Sequence, residues 1–267
     1  MSDEHIYLYA ITLSNDPCRR RGVGVDPRFP VDLVRFRQLA AVCSRIGLDQ
    51  FDVSRFRAEN QQDAEWLSRV AVRHNEVVMA ASTRPPVIPL RLGAVFHSHS
   101  SMVATVWKHR SAVMERLMRL GKRQEWAVKL FHKPPAAEPF PQSTNSSLNS
   151  VPGSQTGAQY LKQKRVEYQR QCDLRSSLRQ ELSRVEATLN QLADEHCSVP
   201  VLPAGFTDHR EKMVWNGAFL VSPANIERWL ALVERTRRAV LPRGLVLEAK
   251  GPWPPYHFCS ALDLQAA

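Results

Sequence analysis

The spacing of apolar positions changes several times along the 267 residues. Residues 5–13 form an almost continuous apolar run rich in tyrosine and isoleucine, which predicts a strand covered on both faces. Residues 14–30 hold Asn15-Asp16-Pro17, Gly22, Gly24, Pro27 and Pro30, and predict a loop that contains Arg19-Arg20-Arg21. A second strand is expected over 38–46, built on Leu39, Ala41, Val42 and Ile46. From 59 to 82 the spacing becomes three and four, through Trp66, Val70, His74, Val77, Val78 and Ala81. That predicts an amphipathic helix, ended by Arg84-Pro85-Pro86. Pro89 argues against a central strand at 87–96, so two short extended pieces are expected about a bend at Gly93. One helix is predicted over 100–120, with Val103, Val106, Val113, Leu117 and Leu120 facing inward.

The second half opens with a strand at 125–131. Residues 134–157 are rich in Pro, Ser and Asn and have little to bury; they predict a mobile insertion. Residues 158–196 contain no Pro or Gly and carry a seam through Leu174, Leu178, Leu182, Val185, Leu189 and Leu192. An unbroken helix there would be about 58 Å long, so it must project or fold back as a helical hairpin. The seam suits either core or coiled-coil packing. A Pro-punctuated edge strand is expected at 199–206 and a strand at 212–221. A helix capped by Asn225 runs to about 240, with Ile226, Trp229, Leu230 and Val233 on one face. Pro242-Arg243-Gly244 ends it before a last strand at 245–249. This order fits a ferredoxin-like unit. The fold class is therefore α+β in two domains: 1–122, and 123–267 with a long helix or helical hairpin extension.

Composition narrows the function classes. Hydrophobic residues make up 43% and charged residues 23%, which excludes a wholly disordered chain or a coiled-coil rod. The net charge of +10 divides into +6 over 1–122 and +4 over 123–267, so no basic tail accounts for it. A nucleic-acid-binding module is the alternative that this charge raises, but no RNP-like or zinc-finger pattern accompanies it. The basic residues of the long helix (Lys162, Lys164, Arg165, Arg170, Arg175, Arg179, Arg184) alternate with Glu167, Asp173, Glu181 and Glu186, which reads as a solvated, ion-paired helix. No apolar run reaches membrane-spanning length, and the acidic start lacks a secretory signal, so a cytoplasmic protein is expected. Cys18, Cys43, Cys172, Cys197 and Cys259 are odd in number and scattered, as reduced thiols would be.

Catalytic signals are sparse. His97-Ser98-His99, with His109 beyond, is an incomplete metal set, expected as solvated histidines. His196-Cys197 is expected at the C-terminus of the long helix, where a histidine suits the helix dipole; adjacent positions make a poor catalytic pair. Gly22-Val23-Gly24 precedes Asp-Pro and no helix, so it makes a poor phosphate cradle. The sequence points to no catalytic residue, metal or cofactor.

Three ordered segments carry a family resemblance. The first is His74-Asn75-Glu76-Val77-Val78 leading to Val87-Ile88-Pro89-Leu90-Arg91-Leu92-Gly93-Ala94-Val95-Phe96. The second is Glu125-Trp126-Ala127-Val128-Lys129-Leu130. The third is Asn216-Gly217-Ala218-Phe219-Leu220-Val221, followed by Gly251-Pro252-Trp253-Pro254-Pro255-Tyr256-His257-Phe258. Together with the first strand they resemble the gas vesicle protein GvpF/GvpL family, with Leu92, Ala94 and Ala127 departing from its usual Phe, Thr and Gly. The resemblance implies a non-enzymatic, gas vesicle-associated accessory protein. It would bind the hydrophobic shell protein and other accessory proteins during nucleation or assembly, and its C-terminal domain would be a modified ferredoxin fold. Two surfaces are candidates for partner binding: the long helix through Leu178, Leu182, Val185 and Leu189, and the tail through Trp253, Tyr256 and Phe258. The tail aromatics are expected to pack between the domains and staple them. Arg91 is expected either as a buried, ion-paired arginine that holds the fold or as an exposed contact, with the structural role favoured.

Overall fold

The computed structural model describes residues 4–15, 20–49, 51, 55, 61–83, 86–133, 157–203 and 211–259. Its elements are β1 (Glu4–Leu13), β2 (Arg20–Val23), β3 (Pro30–Phe36), β4 (Leu39–Gly47), α1 (Gln61–Ser82), β5 (Val87–Pro89), β6 (Val95–Phe96), α2 (His99–Lys108) and α3 (Arg110–Leu120). They continue with β7 (Gln124–His132), α4 (Gly157–Asn190), β8 (Glu195–Ser198), β9 (Lys212–Val221), α5 (Ile226–Val240) and β10 (Leu245–Trp253). The fold class is α+β. The polar stretch 134–156 and Cys18 lie outside the described residues.

The first sheet has the order β2-β3-β4-β1-β5, with β6 also on β1. The strand pairing shifts by one residue between Leu8 and Ala10. This bulge at Tyr9 places Tyr7, Tyr9 and Ala10 on one face, and Ile6, Leu8 and Ile11 on the other. β2 and β3 correct the expected loop at 14–30 and the unassigned 31–36. β3 places Val31 and Leu33 on one face and Val34 and Phe36 on the other, with Asp32 and Arg35 exposed. Its hairpin to β4 turns through Arg37-Gln38, without the Asn-Gly signal that marks such turns, although Arg37 has φ 55°.

The second sheet has the order β10-β7-β9-β8, antiparallel throughout. Strand-helix-strand-strand-helix-strand connectivity with this order is the split β-α-β arrangement of a ferredoxin-like unit. The expected single helix at 100–120 is two helices. They break at His109 (φ −99°, ψ 14°), and a reciprocal Ser98–Ser101 capping box starts α2. The long helix is one continuous α4 that stops at Asn190; no hairpin forms. His196 and Cys197 therefore sit on β8; residues 199–203 form no strand, and 204–206 of the edge strand expected at 199–206 lie outside the described residues. Asn225 precedes α5 without a side-chain cap, and Leu230 is exposed where Leu232 is buried.

These elements stack in five layers. α1 covers the outer face of the first sheet, where Val70, Val77 and Val78 meet Tyr7, Val42 and Ile46. α4 and α5 cover the outer face of the second, where Val185, Leu189, Trp229 and Val233 meet Val128, Leu130 and Phe219. Between the sheets lie α2 and α3. Met102, Val106, Val113, Leu117 and Leu120 share one cluster with Ile6, Leu8 and Ile11 on one side and Ala218 and Leu220 on the other. Leu117 is fully buried in this middle layer. Leu117→Ala should lower stability by about 2–5 kcal/mol. Because the core is continuous, chemical denaturation followed by tryptophan fluorescence and by circular dichroism should give coincident transitions.

Candidate functional site

β5 and β6 both pair with the same edge of β1, and the chain between them bends outward at residues 91–93. Leu90 N–H donates to Tyr9 O at 2.8 Å, and Leu8 N–H donates to Ala94 O at 2.8 Å, on either side of the bend. Gly93 has φ +91°, a conformation that a side chain would strain. Pro89 lies on a sheet edge, where its missing N–H removes no ladder bond.

The bend is fixed from below by a buried polar chain. Gly93 N–H donates to Tyr7 Oη at 3.1 Å, Tyr7 Oη lies 3.0 Å from His74 Nδ1, and His74 Nε2 lies 3.1 Å from Leu90 O. The arrangement is satisfied when Nε2 carries the proton and Tyr7 donates to Nδ1. Burial holds His74 down at about 4, so its imidazole is neutral at pH 7. Burial likewise raises the Tyr7 hydroxyl well above its ordinary value. Arg91 is exposed on the outward bend and makes no ion pair among the described residues, which corrects the expectation of a buried, paired arginine.

The C-terminal tail leaves β10 and crosses towards the first sheet. Glu125 stands on β7 facing the middle layer and is 3% exposed. A carboxylate buried to this degree needs partners. His257 supplies two, with Nδ1 2.6 Å from Oε1 and its backbone N–H donating to Oε2 at 3.0 Å. The hydrogen bond to Glu125 raises the His257 pKa above the ordinary 6.5. Arg116 Nη1 and Arg119 Nη2 on α3 donate to the carbonyls of Cys259 and Phe258 at 2.9 and 2.8 Å. Phe258 enters the middle core, and the half-buried Tyr256 packs against the cluster under α1, its ring 6.4 Å from His74. Trp253 stays 38% exposed.

Residues of all three motif segments thus line one pocket of about 250 Å³, with Asn75, Glu125, Ala127, Trp253, Tyr256 and His257 around it. On α4, Leu178 and Leu182 are half-buried and Val185 and Leu189 buried, whereas Leu174, expected in the same seam, is exposed.

The other chemical candidates are occupied or protected. His97 Nδ1 lies 2.9 Å from His5 Nε2, and no metal-binding group of three His, Cys, Asp or Glu occurs among the described residues. Cys43 and Cys259 are pushed up to about 12 by burial and stay protonated at neutral pH. His196 Nε2 lies 3.3 Å from Glu186 Oε1, so a carboxylate on the helix, not the helix terminus, faces it. The buried Tyr7–His74 chain and the pairing of buried Glu125 with His257 escape sequence reasoning. The signals for them are present: a histidine on the apolar face of α1 and a glutamate at the start of an apolar strand.

The architecture is a multilayer α+β protein whose three motif segments converge on one pocket. The family model described as "Gas vesicle synthesis protein GvpL/GvpF" matches residues 5–260, and the chain belongs to that family. Gas vesicle protein L of Streptomyces sp. (strain CB03234) is 30% identical over 98% of this chain and 95% of its own length. Gas vesicle protein F of the same organism is 25% identical over 94% and 98%. The fold matches crystal structures of GvpF from Anabaena sp. PCC7120 (TM-score 0.68, 19% identity, 97% of each chain) and Microcystis aeruginosa (TM-score 0.63, 18% identity, 96% of this chain and 99% of that one).

The two histidines impose opposite pH dependences. The lowered pKa of His74 means that the unfolded chain binds more protons between about pH 6.5 and 4, so stability falls with acidification across that window, by on the order of 3 kcal/mol. His257 contributes fully below 6.5, and its contribution is lost as pH rises through its raised folded value. Denaturation series against pH should show the acid-side slope flattened in His74→Gln and the alkaline-side slope flattened in Glu125→Gln.

Proposed function

We propose that this protein is a non-enzymatic accessory factor of gas vesicle formation that binds the hydrophobic shell protein and other accessory proteins in the cytoplasm. The family match over residues 5–260 carries this reading. Physical chemistry supplies a reason for such a factor. A subunit destined for a gas-facing wall exposes apolar surface before it assembles, and such surface aggregates in water unless covered. The two units, 1–122 and 123–267, act together because the tail clasps them through Glu125, Arg116 and Arg119. Trp253, partly exposed, is the tail's candidate for partner contact, whereas the seam from Leu178 to Leu189 serves packing under the second sheet. Among the described residues no helix is long and apolar enough to cross a membrane. Neither the family match nor the fold matches favours the nucleic-acid-binding alternative.

Co-expression of the tagged protein with the shell protein and each accessory protein should recover a complex by affinity capture, and deletion of the gene should abolish or deform vesicles. Absence of any complex across the full set, with normal vesicles in the deletion strain and no paralogue present, overturns the proposal. Glu125→Ala strands His257 and loosens the tail; capture should weaken several-fold while the secondary structure is retained.

A further inference from the structure

We propose that the projecting part of α4, residues 161–179, is a docking surface for an acidic amphipathic helix of a partner protein. The proposal rests on the assembly-factor reading and specifies its surface and the chemistry of the partner. α4 is 34 residues long, about 51 Å at 1.5 Å per residue, and enters the core only from Leu178 onwards. Before that point Leu161 and Tyr168, seven residues apart on one face, are 68% and 69% exposed, and Val166 and Leu174 are exposed on other faces of the helix.

The heptad register identifies the docking stripe. Leu189 and Leu182 lie in or against the core beneath the second sheet, and the same seven-residue interval continues through Arg175, Tyr168 and Leu161. The interleaved positions are Arg179, Cys172 and Arg165. Beyond the core this line therefore alternates Leu161, Tyr168 and Cys172 with Arg165, Arg175 and Arg179, so apolar and guanidinium groups share one face of the helix. Arg165, Arg175 and Arg179 form no ion pair among the described residues, whereas nearer the core Arg184 and Arg243 both reach Glu181. Asp173, an acid on this stretch, is held by Gln169 at 3.1 Å.

Charge selects the occupant. A second copy would set Arg165, Arg175 and Arg179 against like charges, which disfavours self-pairing. The chain's own segments 134–156 and 260–267 bring one acidic residue each, Glu138 and Asp263. A helix with an apolar seam and Glu or Asp at its flanks satisfies both the exposed apolar groups and the three arginines.

The test uses the full-length protein and a synthetic peptide of about four heptads, with leucine in the seam and glutamate at the flanks, against a counterpart with lysine at the flanks. The acidic peptide should bind at least about tenfold tighter than the lysine peptide, and its affinity should fall by about tenfold between roughly 0.05 and 0.5 M salt. Arg165→Glu combined with Arg175→Glu, and separately Tyr168→Ser, should each reduce binding by about tenfold or more with circular dichroism unchanged. Equal binding of the two peptides, or binding indifferent to these substitutions, overturns the proposal. So does a dimer in light scattering that Tyr168→Ser dissolves, because a second copy would then cover the stripe. Shell-protein capture is measured in parallel. If it persists without peptide binding, only the docking surface fails; if it is lost while peptide binding holds, the assembly-factor reading fails instead.

Discussion

Two sheets share a single layer of helix. Each sheet has two faces, and the outer ones have their own covers in α1 and in α4 with α5. The inner faces share α2 and α3, whose buried side chains touch both. Burial of apolar surface on both sides of a thin helical layer ties the two sheets into one core. The break at His109 divides this layer into two shorter helices, each with its own buried row: Met102 and Val106, then Val113, Leu117 and Leu120.

The second sheet fills only part of its inner face with apolar groups. Ala218 and Leu220 meet the middle helices, but β7 and β10 present Glu125, Lys129, Glu248 and Lys250. The C-terminal tail solves this locally. It brings an imidazole to the buried carboxylate, takes two guanidinium donors from α3 onto its carbonyls, and inserts Phe258 where the core is open. The distinctive chemistry of the tail is thus used mainly inside the molecule, and Trp253 is the tail aromatic that keeps the most solvent exposure. The Pro-Leu-Arg bend follows the same division: its backbone is held from within by Tyr7 and His74, and its arginine points away.

Surface left for partners lies elsewhere. α4 anchors its C-terminal third through Val185, Leu189 and the bond from Trp229 Nε1 to Leu189 O at 3.1 Å. The rest extends beyond the sheet with apolar and cationic groups in water. A rigid helix anchored at one end presents such groups with little further loss of chain entropy on binding.

Periodicity made much of the fold legible from the sequence. The apolar runs of β1, β7 and β9, the three-four spacing of α1 and α5, and the turn at Gly93 are local consequences of side-chain order. The family was legible too, because its proline and tryptophan segment is chemically distinctive. β3 stayed hidden because its half-buried alternation is interrupted by charge, and its turn is made by Arg37 where glycine or asparagine is expected. The sequence also could not show which half of α4 is covered, since its leucine spacing continues where the sheet beneath it ends. Glu125 with His257 and Tyr7 with His74 are separated by 132 and 67 residues. Only packing brings such groups within hydrogen-bonding distance and decides which of them stay neutral. Side-chain order sets each element and its buried face, and the meeting of those faces sets the polar chemistry between them.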